Sequence, residues 1–295
     1  MKQKIFPYLW FDDQAEQAAH FYTAIFQNGK MGEINYLEDG RPGAEIKILT
    51  LSFALAGLQI HALNGGPEFS FTPAHSFFVT CRDEAEMDAL WGKLSSGGRI
   101  LMEFGEYPFS KKFGWLMDQF GVSWQVNLDA QPQHVAPCLM FVGQQAGRAE
   151  EAMQLYTSLF KNSQIQHIER YAAGDGDTEG TVKHARFSLA GQDFVAMDSG
   201  FDHQFGFTPA FSFFVECKDQ QEVDYFWEKL IEDGGEPSQC GWLADKFGVS
   251  WQIVPSALGE MINDPDPQRA QRVTQAMLQM TKIDIEELRQ AYDRK

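Results

Sequence analysis

Apolar and polar positions change period repeatedly along the chain, and the changes mark its elements. Ile5–Phe11 (IFPYLWF) is a short apolar, aromatic run that predicts a strand. Asp12-Asp13 offers a helix N-cap, and from Ala15 the spacing becomes helical, with Ala15, Ala18, Ala19, Tyr22, Ile25 and Phe26 on one face. Asn28-Gly29 ends that helix. Gly32–Leu37 predicts a weaker strand, Glu38–Gly43 a polar turn, Glu45–Ala56 a longer strand, and Leu58–Asn64 another, closed by Gly65-Gly66-Pro67. The order is strand, helix, strand, strand, strand. It then begins again: strand His75–Cys81, helix Asp83–Leu94 with Ala85, Met87, Leu90, Trp91 and Leu94 as its apolar positions, and strands over Ile100–Glu106, Gly114–Gln119 and Val122–Leu128.

The whole series occurs twice. FTPAHSFFVTCRDEAEMDALWGKL at Phe71–Leu94 returns at Phe207–Leu230, 136 residues later, with fifteen of 24 positions identical. GWLMDQFGVSWQV at Gly114–Val126 returns at Gly241–Ile253 with ten of 13 kept. APCLMF at Ala136–Phe141 replays Phe6–Phe11, and YTSLF replays YTAIF. Such self-similarity indicates a duplicated domain. The expected organisation is one unit over residues 1–130, a second over 134–255 and a helical tail over 256–295, giving four βαβββ modules and an α+β fold. The second copy lacks the Glu106–Lys112 region. In the tail, Asp266-Pro267 opens a helix through Ala270, Val273, Met277 and Met280, and Asp284 with Glu287 resembles a capping box for another. These helices are expected to pack on the second unit or across a homodimer interface.

Composition narrows the function classes. The 295 residues carry 41 acidic and 24 basic side chains, a net charge of −17. That charge repels phosphate backbones and anionic lipid, so neither nucleic acid nor membrane is an expected partner. No apolar run approaches the ~20 residues of a bilayer span. The four cysteines, Cys81, Cys138, Cys217 and Cys240, show no zinc spacing. The opening residues MKQKIFPYLWFDD hold no signal-peptide core. A cytoplasmic location is the expectation.

The motifs PYLWF, FYTAIF, ALNGG, FTPAxSFFVxC and GWLxDxFGVSWQ resemble the PhnB-like branch of the vicinal oxygen chelate (glyoxalase/bleomycin-resistance/dioxygenase) superfamily, whose members are often labelled 3-demethylubiquinone-9 3-methyltransferase. The resemblance covers nearly the whole chain. It implies a tandem pair of glyoxalase-like units, with curved mixed sheets around a cavity. It also implies metal-ligand positions on the first and fourth strands of each module. By motif these fall near Phe6, at His75, near His61 and at Gln125 in the first unit, and at Ala136, Val195, Phe211 and Gln252 in the second. Phenylalanine, alanine and valine bind no metal, so the second unit is expected to lack a site. The first offers His61, His75 and Gln125, without a carboxylate.

Each candidate has a plainer reading. His75 is Phe211 in the other copy, so it can serve as a space-filling aromatic. His61 alternates with Gln59 and Leu63, while Asn64 shares parity with Ile60, and the pattern leaves open which set faces a cavity. Gln125 shares parity with Ser123 and Asn127 and recurs as Gln252. Trp115 and Trp242 read as pocket rim or core. His184 stands where the first copy has Thr50, and Asp175 and Asp177 read as a solvated turn. The expected function is small-molecule binding in a cavity rimmed by Phe6, Tyr8, Trp10, His61, His75, Gln125 and Gln252, with no cofactor and no full metal site. The alternative is a metal-dependent isomerase, lyase or dioxygenase in the first unit. The methyltransferase label finds no support: an S-adenosylmethionine site of the common type needs a glycine-rich turn after the first strand, where this chain has Asp12-Asp13-Gln14.

Overall fold

The computed structural model describes residues 3–37 and 47–294. The first βαβββ module consists of β1 (Ile5–Phe11), α1 (Ala15–Ile25), β2 (Lys30–Leu37), β3 (Lys47–Leu55) and β4 (Leu58–Asn64). The expected turn at Glu38–Gly43 and the start of the strand expected from Glu45 lie outside the described residues. The second contains β5 (His75–Cys81), α2 (Glu84–Leu94), β6 (Arg99–Tyr107), β7 (Ser110–Met117) and β8 (Ser123–Leu128). The third contains β9 (His134–Phe141), α3 (Ala149–Leu159), β10 (Gln164–Arg170), β11 (Val182–Leu189) and β12 (Gln192–Asp198). The fourth contains β13 (Phe211–Cys217), α4 (Gln220–Ile231), the short β14 (Glu236–Pro237) and β15 (Trp242–Ala244), and β16 (Ser250–Pro255). The tail adds α5 (Ser256–Ile262), α6 (Pro267–Met277) and α7 (Ile285–Asp293). The α5 helix is one more than its apolar spacing predicts, since Leu258 alone among its residues is buried.

The chain forms two compact units, Pro7–Phe211 and Lys2–Phe6 with Ser212–Lys295. These units and the duplicated segments are different partitions of the chain. Within the first unit β5 pairs antiparallel with β9, so the second half of copy one and the first half of copy two share one eight-stranded sheet, ordered β10-β11-β12-β9-β5-β8-β7-β6. The same unit holds the order β1-β4-β3-β2, with Tyr8 opposite His61 in the parallel β1–β4 pair. In the second unit the order is β14-β15-β16-β13. The helices α2 and α3 pack on one face of the eight-stranded sheet. Phe77, Val79, Leu116, Trp124, Leu139, Phe187 and Ala196 point to that face and are fully or nearly fully buried. Among the described residues, α2 and α3 are the helices that pack on this sheet, which leaves its other face free of them. In the second unit, Leu258, Val273, Met280, Ile283 and Leu288 form the core of the tail. The tail is tied down by Cys240 N–H to the Met280 carbonyl and Gly241 N–H to that of Thr281, each 2.8 Å.

The repeated GWLxDxFGVSWQ stretch is explained by its aspartate. Asp118 Oδ1 accepts from the backbone N–H of Phe120 (2.8 Å) and Val122 (3.1 Å), which shapes the turn between β7 and β8. Its Oδ2 accepts from Trp124 Nε1 at 2.8 Å and Tyr22 OH at 2.6 Å. In the second unit Asp245 repeats three of these bonds, to Phe247 N, Val249 N and Trp251 Nε1. Gly114 opens the motif because Trp91 lies there: a Cβ would stand 2.4 Å from its ring.

The cap of α1 comes from an unexpected place. Gln14 occupies the N-cap position with no side-chain bond, so Asp12 and Asp13 do not cap the helix. Asn64, at the end of β4, instead accepts from Ala15 N–H at 2.8 Å. Asp198 does the same at α3, accepting from Ala149 N–H at 3.0 Å and Gly147 N–H at 2.9 Å. Asn64→Ala should therefore cost about 1 kcal/mol of stability, as loss of an N-cap does. A midpoint of urea unfolding unchanged from wild type would contradict this.

Candidate functional site

Strand alternation divides the eight-stranded sheet into two chemically different faces. On the helix-free face Ser76 lies opposite Cys138, Cys138 opposite Val195, and Val195 opposite Arg186. Phe78 pairs with Gln125 in the next row, and Trp115 pairs with Gln125 from β7. A small apolar cluster of Ala136, Cys138 and Val195 sits between, flanked by Phe78 and Met197.

Gln125, 2% exposed, is the polar centre of this face. Its Nε2 donates to Ser76 Oγ at 3.0 Å and lies 3.5 Å from Cys138 Sγ. Burial pushes the Cys138 thiol up to about 12, so it is a neutral, weak hydrogen-bonding group and not a thiolate nucleophile. His184 projects beside this cluster, its ring centroid 5.6 Å from that of Phe78. Burial lowers its pKa, and the charge of Arg186 lowers it further, so its imidazole is neutral near pH 7.

The residues expected to rim one cavity are distributed over several places. Tyr8, Trp10 and His61 lie in the β1–β4 part of the first unit. The Tyr8 and His61 rings meet at 5.8 Å, and burial raises the Tyr8 pKa well above its usual value. Trp10 Nε1 donates to the Gly66 carbonyl at 2.8 Å. Parity on β4 is fixed by burial: Ile60 and Ala62 are fully buried and Asn64 reaches α1, so His61 faces away from that helix with Gln59 and Leu63. Phe6 contacts Phe214 in the second unit at 6.0 Å. In that unit Gln252 donates to Ser212 at 2.9 Å, repeating the Gln125–Ser76 pair.

His75 is on the helix side of β5, opposite in parity to Ser76 and Phe78. It stacks on Phe211, with ring centroids 4.8 Å apart and planes 2° from parallel, and touches Phe207 at 4.7 Å. His61, His75 and Gln125 therefore do not come together: the first belongs to β4, and the other two point to opposite faces of the β5–β8 pair. The first- and fourth-strand positions that do converge on the helix-free face hold Ser76, Gln125, Cys138 and Val195. A hydroxyl, an amide, a protonated thiol and an alkyl group do not make a donor set for a zinc-like transition-metal ion, which takes imidazole, carboxylate or thiolate donors. Among the described residues no cluster of three or more His, Cys, Asp or Glu could hold one.

Ser76, Phe78, Cys138 and Arg186 escape a reading by single motifs. Their signal is nevertheless in the sequence. Ser76 is a polar residue inside the repeated apolar run SFFV, and it recurs as Ser212.

A Bacillus cereus PhnB protein is 43% identical over 43% of this chain and 100% of its own, with a TM-score of 0.41. Glyoxalase I from Zea mays, 11% identical, aligns over 84% of this chain and 90% of its own with a TM-score of 0.55, a likeness of fold. No curated protein matches the chain. Among the described residues no helix is long and apolar enough to cross a membrane. The family model described as 3-demethylubiquinone-9 3-methyltransferase matches twice, over residues 3–127 and 133–254, and the chain belongs to that family, on a vicinal oxygen chelate fold.

Proposed function

We propose that this chain binds a small molecule on the helix-free face of the eight-stranded sheet, without a resident metal. The buried Ser76–Gln125–Cys138 group carries the reading. Its Gln125 Nε2 is committed to Ser76. Its amide oxygen is the kind of group that accepts from a ligand donor. Phe78, Met197 and Val195 supply an apolar wall beside it. The metal-dependent alternative would need His61, His75 and Gln125 around one ion. Methyl transfer, which the family's description names, would need a cofactor site that the Asp12-Asp13-Gln14 turn does not offer. A cytoplasmic location agrees with four free cysteines.

A planar neutral amide such as 2-naphthamide offers both an N–H donor and an apolar ring, and Trp115 can report its arrival by fluorescence. Binding is expected to survive EDTA. Gln125→Leu should weaken it about tenfold, the loss of one buried hydrogen bond with its partner left unpaired. Loss of binding in EDTA, or stoichiometric metal in the purified protein that leaves with the chelator, would overturn this reading.

A further inference from the structure

A segment of the tail stands where the fourth module is short. Nineteen residues separate Leu94 from Gly114, but ten separate their counterparts Leu230 and Gly241. In the second module this stretch makes β6 and its hairpin with β7, and two side chains fasten the hairpin to α2. Lys112 Nζ lies 2.5 Å from Asp88 and 3.3 Å from Glu84. Phe104 stacks on Trp91, with ring centroids 4.6 Å apart, and stands 3.0 Å from where a Cβ on Gly114 would be. The fourth module sets only Glu236–Pro237 against β15, opposite Ala244 and Leu243.

The contacts of the hairpin recur there, made by the connection between α6 and α7. Lys282 Nζ lies 2.6 Å from Asp224, the counterpart of Asp88. Ile283 Cγ1 lies 3.1 Å from where a Cβ on Gly241 would be, as Phe104 lies over Gly114. Gln220, the counterpart of Glu84, donates to the Ile283 carbonyl at 3.1 Å and accepts from Ile285 N–H at 2.9 Å. The two N–H groups just before β15, of Cys240 and Gly241, donate to the carbonyls of Met280 and Thr281. Ile283 is fully buried in the process.

We propose that α4 and the start of β15 form a peptide-binding surface, and that the connection between α6 and α7 is its resident occupant, in place of the hairpin this module lacks. The surface takes a segment that offers two main-chain carbonyls to Cys240 and Gly241, a lysine to Asp224 and, next after it, a branched aliphatic side chain to the ground over Gly241. The main-chain bonds and the buried isoleucine supply the holding energy. The half-exposed Lys282–Asp224 pair supplies register and selects against an acidic segment. Since the groups that receive the segment belong to α4 and β15, the same sequence on a separate molecule fits them equally.

The test is amide hydrogen exchange on the full chain carrying Lys282→Glu and Ile283→Asp together, with and without a synthetic peptide of the wild-type sequence 278–294. The Cys240 and Gly241 amides should exchange about a hundredfold faster in the variant than in wild type, as a segment that has lost its buried anchor opens locally. Excess peptide should return them to slow exchange in the variant and change nothing in wild type, where the surface is filled. A peptide bearing the same two replacements should have no effect. Cys240 and Gly241 amides as slow in the variant as in wild type would overturn the inference. So would faster exchange, confined to these amides or spread through the fourth module, that the wild-type peptide does not reverse, and so would reversal by both peptides alike.

Discussion

Asp118→Ala is expected to destabilise the first unit by about 3 kcal/mol, the largest effect of any single replacement considered. The carboxylate is 5% exposed and gathers four donors from three parts of the chain: the turn amides of Phe120 and Val122, the Trp124 indole and the Tyr22 hydroxyl of α1. Its removal leaves buried N–H and O–H groups without an acceptor, each of which loses its bond and keeps its desolvation cost. Burial pushes the pKa of Asp118 upward while the four donors oppose that shift, so it is a structural carboxylate under tension between two effects. Tyr22 and Trp124 also touch directly, with ring centroids 5.1 Å apart, so the change loosens an aromatic core as well as a turn. Tyr22→Phe should cost less, since it removes one donor and leaves the acceptor with three. Urea unfolding followed by tryptophan fluorescence measures both. A fall for Asp118→Ala no larger than that for Tyr22→Phe would show that the carboxylate does not organise this motif.

The same motif shows what the chain makes legible and what it hides. Element type was readable because the patterns are local: Ile5–Phe11 and His75–Cys81 are short apolar runs of strand length, and Ala15, Ala18, Ala19 and Tyr22 keep helical spacing, as the strands and helix observed there require. Duplication was readable by identity. Strand neighbours were not, because pairing joins residues far apart in sequence. The antiparallel β5–β9 pair brings Ser76 of one copy against Cys138 of the other, and no local pattern announces it. The candidate site failed for the same reason. Mapping His61, His75 and Gln125 onto one ion assumes that the modules of one copy face each other and that His75, not Ser76, points inward. Alternation alone separates His75 from Ser76, and burial decides between them. A strand in which His75, Ser76 and Phe77 are all buried gives the sequence reader no polar face to follow.

Acidification should destabilise this protein through His75, and His75→Phe should remove that sensitivity. The imidazole is 3% exposed, stacked on Phe211 and in tilted contact with Phe207, and burial lowers its pKa from the ordinary 6.5 to about 3. Between those values the unfolded chain holds a proton that the folded chain refuses. Stability therefore rises with pH across this window and is lost as pH falls from about 6.5 towards about 3. Well below 6.5 the slope from one such group is about 1.4 kcal/mol per pH unit, so lowering the pH from 6 to 4.5 should remove roughly 2 kcal/mol. Phenylalanine already occupies the matching position in the second copy, as Phe211, and it has no charge to form. The variant should match wild type near pH 7.5 to within about 1 kcal/mol, a volume-conserving exchange in a core, and exceed it increasingly below pH 6. Carboxylates elsewhere titrate in both proteins, so their effect cancels in the difference between the two curves. Parallel stability curves for wild type and variant between pH 7.5 and 4.5 would mean that His75 accepts its proton in the folded state, and that its side of β5 is not the dry aromatic layer that its contacts with Phe207 and Phe211 require.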